Sequence, residues 1–275
     1  MTDPQTVPPG VDATVPSIAR VYDVFLGGKD NFAVDREVAA AVNQIHPNGG
    51  VMAGVNRALL GRVVRFLTAE VGIRQFLDLG SGLPTQGNVH QIAHGIDPET
   101  HVVYVDNDPM VLAHGRALLA DNQTTTVVMA DIRQPEDILK HPEVRKYIDF
   151  TRPIGLLAFA ILHHFTDEED PAGAAAVLRD AMPAGSHMGL SHFFNPGDEQ
   201  PEAAREAEMV EKTFTEKLGT GRFRTRSEIM SYFGDWELLE PGLVPSGDWR
   251  PDPDAAPVER TLTYQTFAAG VARKP

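Results

Sequence analysis

The sequence predicts an α/β domain built on a mostly parallel sheet. Three observations carry this expectation. Short apolar runs alternate with helical patterns from about residue 75 onward, as parallel strands covered on both faces require. A glycine turn, Gly80-Ser81-Gly82, follows one such run and precedes a helix. Acids close three successive strands or the turns just after them: Asp78, Asp106 and Asp131.

Residues 1–16 carry Pro4, Pro8, Pro9, Gly10 and Pro16 and read as a flexible tail. From Ser17 to Val71 the pattern is helical. Ile18, Val21, Tyr22 and Phe25 share a face before Gly27-Gly28 interrupts it; a second helix spans roughly Asp30–Gln44 and a third Gly54–Val71. Strands are expected at Gln75–Leu79, His101–Val105, Thr125–Met129, Gly155–Ile161 and His187–His192. Helices are expected at Thr85–His94, Pro109–Leu119, Glu136–Leu139 and Ala172–Ala181, the last opened by a capping box of Thr166 and Glu169. An insertion over 193–235 holds a charged helix (Glu202–Leu218) and a shorter one begun by Thr225 and Glu228. Two last strands, Trp236–Leu239 and Thr261–Ala268, flank a loop rich in proline and acid. The whole of 17–275 reads as one domain.

Composition narrows the function. Twenty-four basic against 38 acidic residues leave a formal charge of −14, a field that disfavours a nucleic-acid partner. No cysteine is present, so disulfides, thiolate metal sites and cysteine nucleophiles are excluded. The longest apolar run, Ile154–Leu162, falls well short of the roughly 20 residues that cross a bilayer. The first residues, MTDPQTVPPG, lack a signal-peptide pattern, so a cytoplasmic protein with no membrane partner is expected.

The glycine turn is the strongest local signal. Gly80 can take dihedrals closed to other residues, and Gly82 lets backbone approach a ligand. Asp106 stands 24 positions beyond Gly82, near the offset of an acid that accepts from ribose hydroxyls. Asp131, followed by Ile132, is placed to accept from an adenine amine. Each acid has a plainer reading: Asp78 as a turn stabiliser, Asp106 as a helix cap ahead of Pro109.

At these residues the chain resembles the class I S-adenosylmethionine-dependent methyltransferases, and more closely an actinobacterial methyltransferase family of undefined substrate. The segments that carry the likeness are SIARVYDVFLGGKDNFAVDRE (17–37), FLDLGSGLPTQGNVH (76–90), VVYVDNDPMVLAHGRALL (102–119), ADIRQPEDILKHPEV (130–144) and ILHHF (161–165). The resemblance implies a Rossmann-like three-layer sandwich with a seven-stranded sheet in the order 3-2-1-4-5-7-6, strand 7 antiparallel, and S-adenosylmethionine as cofactor. Pro84 replaces a glycine usual in the class, a change suited to a helix's first turn. Under this reading Gly80, Ser81, Gly82, Asp106, Asn107 and Asp131 frame the adenosine, and Phe159 and Ala160 border the methionine moiety. The helical segment 17–71 becomes a lid, with Arg20, Tyr22, Lys29, Asn31 and Phe32 grouped about a Gly27-Gly28 hinge.

Methyl transfer needs alignment and exclusion of water, with a base only for some acceptors. His163 and His164 are the candidate bases; His192 ends the fifth strand nearby. A metal site from these three is not expected, because adjacent residues rarely converge on one ion. In the insertion, Phe193, Phe194, Met209, Phe214 and Phe223 are candidates for an apolar pocket, with plain core packing the better reading of Met209 and Phe214. Arg222, Arg224 and Arg226 alternate and are candidates to meet an anionic substrate, with a solvated face or pairing with nearby acids the better reading, and Trp249-Arg250 closes the pocket from the other side. The predicted acceptor is a small molecule with an oxygen or nitrogen nucleophile. Two other readings stand: a NAD(P)-dependent oxidoreductase, opposed by Thr85 in the third small-residue position and by the lack of a Tyr-x-x-x-Lys pair, and a non-catalytic S-adenosylmethionine-binding regulator.

Overall fold

Residues 7–84, 87–120 and 122–275 are described here from a computed structural model of the chain. The strands are β1 (Gln75–Leu79), β2 (His101–Asp106), β3 (Thr125–Met129), β4 (Gly155–Phe159), β5 (His187–Phe193), β6 (Glu237–Leu238), β7 (Val244–Pro245) and β8 (Phe267–Arg273). They form one sheet in the order β3-β2-β1-β4-β5-β8-β6, with β7 also paired to β8. The five strands from β1 to β5 run parallel, so their C-terminal ends reach one edge; β8 lies antiparallel to β5 and β6. The expected order therefore holds, with one additional short strand.

Alternation along the strands sorts side chains to two cores. Leu77, Val103, Leu156 and Leu190 face a cluster completed by α6 (Pro135–Lys140), α7 (Pro142–Tyr147), α8 (Pro171–Ala181) and α10 (Arg226–Phe233). Phe76, Val102 and Leu157 face a second cluster formed with α3 (Gly49–Arg65) and α4 (Val89–His94). Leu59, Val63, Val64 and Leu67 are fully buried there, so α3 and the π-helical turn that continues it over Phe66–Val71 form a structural layer of the sandwich. The helices that reach over the strand tips are α1 (Ile18–Phe25), α2 (Ala33–Ile45), α5 (Pro109–Leu118), α9 (Pro201–Leu218) and α11 (Leu262–Gln265).

Several boundaries differ from expectation for local reasons. Strand β4 stops at Phe159 because Ala160 takes a left-handed φ of 54°. The capping box of Thr166 and Glu169 closes a 3-10 turn, Asp167–Glu169, while α8 is capped by Asp170, which accepts from the Gly173 amide. The final strand begins six residues later than Thr261, whose hydroxyl caps α11 by accepting from Tyr264 N. The strand itself is the small, buried run that follows. Asn88 and Gln91 open α4; the expected start at Thr85 lies outside the described residues.

Candidate functional site

The glycine turn leaves β1 directly beneath the tip of β2. Gly80 N donates to Val105 O at 2.8 Å, and a methyl group on Gly80, already at φ 63°, would overlap the Ile161 side chain. Gly82, at φ 66°, has open space where a Cβ would point. Its amide donates to Asp106 Oδ2 at 2.9 Å, and Asp108 N donates to Oδ1 at 2.9 Å. Asp106 thereby fastens the turn to the next strand. Burial, together with the neighbouring Asp108 charge, raises its carboxyl to about 6 despite those amides. Asp78 is 5% exposed and accepts no hydrogen bond among the described residues; burial pushes it up to about 7, against the opposing pull of the Arg57 guanidinium on the same cleft and with a smaller push from Asp106. A buried acid left this way favours a ligand that brings positive charge.

These groups wall one continuous cleft of about 500 Å³. The cleft brings together the expected Asp78, Gly80, Ser81, Gly82, Asp106 and Asn107 with Phe159 and Ala160, and with Arg20 and Tyr22 from α1. Residues 10–12 and 15–16, expected as part of a flexible tail, also line it, and Val11 packs with Leu83, Met110 and Val111. The Ser17 hydroxyl donates to Asp108 Oδ2, and Arg20 Nη2 donates to the carbonyls of Asp12 and Val15. The segment before α1 is thus laid across the glycine-turn side of the cleft.

Asn31, Phe32, Asp131 and Ile132 do not line it. Asn31 Nδ2 donates to Asp23 Oδ2 (2.8 Å) and Gly28 O (3.1 Å), which braces the Gly27-Gly28 turn; a side chain at Gly28 would overlap the Asp23 carboxylate. The expected hinge is a locked turn. Phe32 packs among Leu83, Met110 and Val111, with the Arg20 guanidinium 5.1 Å from its ring centre. Ile132 is core. Asp131 accepts from Arg133 Nε (2.9 Å) and Nη2 (2.6 Å), and more weakly from Asn107 Nδ2 (3.4 Å). Lys29 does not line the cleft.

The histidines after β4 end in a dry environment. His163 stacks on Phe193 at 3.6 Å, and its Nδ1 accepts from Phe193 N at 3.2 Å. That bond puts the ring proton on Nε2, so His163 presents a donor rather than a lone pair. Burial lowers its basicity strongly, and lowers that of His164 and His192 to about 3 each. His163 and His164 line the cleft; His192 does not, and its Nδ1 donates to Phe193 O. Phe193, Phe214 and Phe223 line the cleft as a stacked group, Phe193 lying 4.6 Å from Phe223 and 5.4 Å from Phe214.

Other expectations about this region are corrected. Phe194 is buried in the opposite core and Met209 is 52% exposed, so neither lines the pocket. Pairing with nearby acids, the better reading of the three arginines, holds for Arg222 with Glu211 (3.1 Å) and Arg224 with Asp167 (2.6 Å), while Arg226 instead donates to Leu243 O (2.9 Å). Trp249 is fully buried beside Phe66 in the second core and Arg250 sits over that ring, so neither closes the cleft. The larger apolar surface between α3 and the sheet draws the indole inward.

The sequence profile of the S-adenosyl methyltransferase family matches residues 4–275. The chain belongs to that family. A crystal structure of a Thermobifida fusca protein, provisionally described as a methyltransferase, is 44% identical, with a TM-score of 0.91 over 98% of this chain and 99% of that one. A DUF574 family protein from Streptomyces avermitilis is 38% identical, with a TM-score of 0.89 over 96% and 99%. The N-methyltransferase NodS from Bradyrhizobium japonicum, solved with S-adenosyl-L-homocysteine, shares the fold at 9% identity and a TM-score of 0.50, over 93% and 99%. No curated protein matches the chain. The protein is an S-adenosylmethionine-dependent methyltransferase.

The cleft fits that cofactor: space beside Gly82 for a close approach, a bridging acid at Asp106, and a buried acid at Asp78 that accepts no hydrogen bond among the described residues. Sequence reasoning missed two features. Tyr22 Oη donates to Ala53 O and accepts from Asn56 Nδ2 (3.0 Å), Asn56 Oδ1 accepts from Ser191 Oγ (2.7 Å), and Ser191 Oγ accepts from Ala160 N (3.0 Å). This chain ties α1 through α3 to the strained residue at the tip of β4. His46, which lines the same cleft, was also missed, since a lone histidine before a proline carries no local signal.

Proposed function

We propose that the protein methylates a small molecule through an oxygen or nitrogen atom, holding S-adenosylmethionine between the glycine turn, Asp78, Asp106 and α1. The observation that carries this reading is Asp106, fixed by the Gly82 and Asp108 amides with its carboxylate on the cleft wall. In that position it accepts from both ribose hydroxyls. Asn107 borders the adenine, with Asp131 behind it, oriented by Arg133. Asp78 faces the positive end of the amino acid, and Phe159 and Ala160 form the floor under it. Arg20 and Tyr22 hold the cover in place, excluding water from the reacting atoms.

When bound, the cofactor supplies a methyl group on a sulfonium, open to in-line attack. The chain's part is positioning: rigid aromatic walls set the acceptor's approach, and effective alignment is worth about 7–11 kcal/mol. His163 and His164 wall the acceptor side, the former offering a hydrogen-bond donor. The acid-rich chain has no helix long and apolar enough to cross a membrane among the described residues. The absence of cysteine suits a cytoplasmic setting.

Calorimetric titration with S-adenosylhomocysteine and with NAD and NADP tests the cofactor assignment. Binding of the thioether alone is expected; binding of a nicotinamide dinucleotide alone would overturn it. Transfer of labelled methyl groups from S-adenosylmethionine to a small-molecule extract, read by mass spectrometry, then identifies the acceptor.

A further inference from the structure

The acceptor half of the cleft is walled by Phe193, Phe214, Phe223 and Phe267, flat surfaces that match an aromatic ring in shape and in π-contact. Three chain elements distant in sequence bring polar groups to this apolar chamber. His46 follows α2, Glu206 lies on α9 and Thr263 on α11. His46 Nδ1 stands 2.8 Å from Glu206 Oε1, and Thr263 Oγ1 donates to the same oxygen at 2.9 Å. The side chains of His46 and Glu206 are only 11% and 14% exposed. A carboxylate at Nδ1 fixes the tautomer: Nδ1 carries the proton, and Nε2 keeps its lone pair. Nε2 has no partner among the described residues, and the imidazole lines the cleft. In each of the other histidines on this wall, geometry or burial removes that capacity.

We propose that His46, oriented by Glu206 and Thr263, is the general base of the reaction and that the methyl acceptor is a neutral phenol. This rests on the methyl-transfer reading of the cleft given above. The phenolic O–H proton passes to His46 Nε2, and the resulting oxygen attacks the methyl carbon. The carbon–sulfur bond breaks with its electron pair retained by sulfur, leaving an aryl methyl ether, the neutral thioether S-adenosylhomocysteine and one proton on the imidazole, later released to water. A phenol suits the site on acidity. Its pKa of about 10 lies within reach of an imidazole base, whereas an aliphatic alcohol's does not. It suits the site on charge as well, because Arg222, Arg224 and Arg226 are all engaged elsewhere and offer no partner to an anionic acceptor. Burial lowers the basicity of His46 in the free protein, so it is neutral before the acceptor arrives, while the Glu206 carboxylate beside it opposes that effect and stabilises the imidazolium once the proton has moved, a partner His164 lacks.

The probe is 4-nitrophenol, whose ionised form is coloured. It is added to the full-length protein saturated with S-adenosylhomocysteine, in a buffer acidic enough to keep the free dye protonated. The expected result is a phenolate band that appears on binding, with Glu206→Gln and His46→Gln each lowering the ionised fraction by about tenfold or more, equivalent to one pKa unit. Affinity for S-adenosylhomocysteine should stay within about twofold, since neither residue lies at the glycine turn, while the dye itself binds more weakly as its ionised form is lost. A dye that binds protonated to the wild-type protein, or does not bind, overturns the proposal whether or not the variants fold. A band unchanged in a folded His46→Gln variant overturns it too. Failure of S-adenosylhomocysteine to bind at the outset would instead overturn the cofactor reading, so the two failures are told apart.

Discussion

Asp78 and Asp106 share a wall and resist ionisation together, reaching about 7 and about 6 respectively. Each keeps its proton in the fold at pH values where the unfolded chain has lost it. Their contribution to the stability of the free protein is therefore complete below the ordinary 3.8 and is lost as pH rises through 6 and 7. A cationic ligand reverses the preference. S-adenosylmethionine binding should tighten as pH rises through this window and release protons, seen as a dependence of calorimetric enthalpy on buffer ionisation; Asp78→Asn should reduce the release. Asp106→Asn removes a charge-assisted acceptor worth about 1.5–3 kcal/mol and should weaken S-adenosylhomocysteine roughly 10- to 100-fold by titration. Both acids were legible in the sequence because a glycine turn and a fixed offset mark them. Asp131 was equally visible as a residue, but its engagement with Arg133 depends on a rotamer no spacing encodes.

A single carboxylate joins the first two helices over the cleft. Asp35 accepts from Ser17 N (3.0 Å), Arg20 Nε (2.8 Å) and Phe32 N (2.8 Å), so it fixes the starts of α1 and α2 at once. The Arg20–Asp35 pair is almost wholly buried. Asp35→Ala leaves that guanidinium uncompensated, a loss of about 3–5 kcal/mol. The expected outcome is a lowered melting temperature, early tryptic cleavage near Arg20 and weaker S-adenosylhomocysteine binding. Strands β1, β2, β3 and β5 were readable to within a residue, since buried parallel strands leave short, mostly apolar runs between helical patterns. The last strand was misplaced because Thr261 and its neighbours have strand-like composition, while the true strand is made of small residues that pack between β5 and β6. The segment before α1 was read as a tail from its prolines; what anchors Val11 is the surface of α5, a contact between sequence-distant residues.

On the scale of the molecule, the sheet and its two cores come from alternation, whereas the cleft comes from segments as far apart in sequence as Gly10 and Phe267. That is why the glycine turn and its acids on the cleft wall could be read and the His46, Glu206 and Thr263 group could not. Ligand linkage gives a global test. S-adenosylhomocysteine at a hundred times its dissociation constant stabilises the fold by about 2.7 kcal/mol, which should raise the melting temperature by roughly 5–10 °C, and NAD should leave it unmoved. The two cores also bear on optical work. The chain's two tryptophans fall on opposite sides of the sheet, Trp236 in one core and Trp249 in the other, and neither reaches the cleft. Their emission is thus a pair of independent gauges of unfolding, one per face, largely blind to what the enzyme binds. Variants keeping one indole each would reveal whether the two faces melt together, and an indole for ligand titrations belongs on the cleft rim, where neither tryptophan lies.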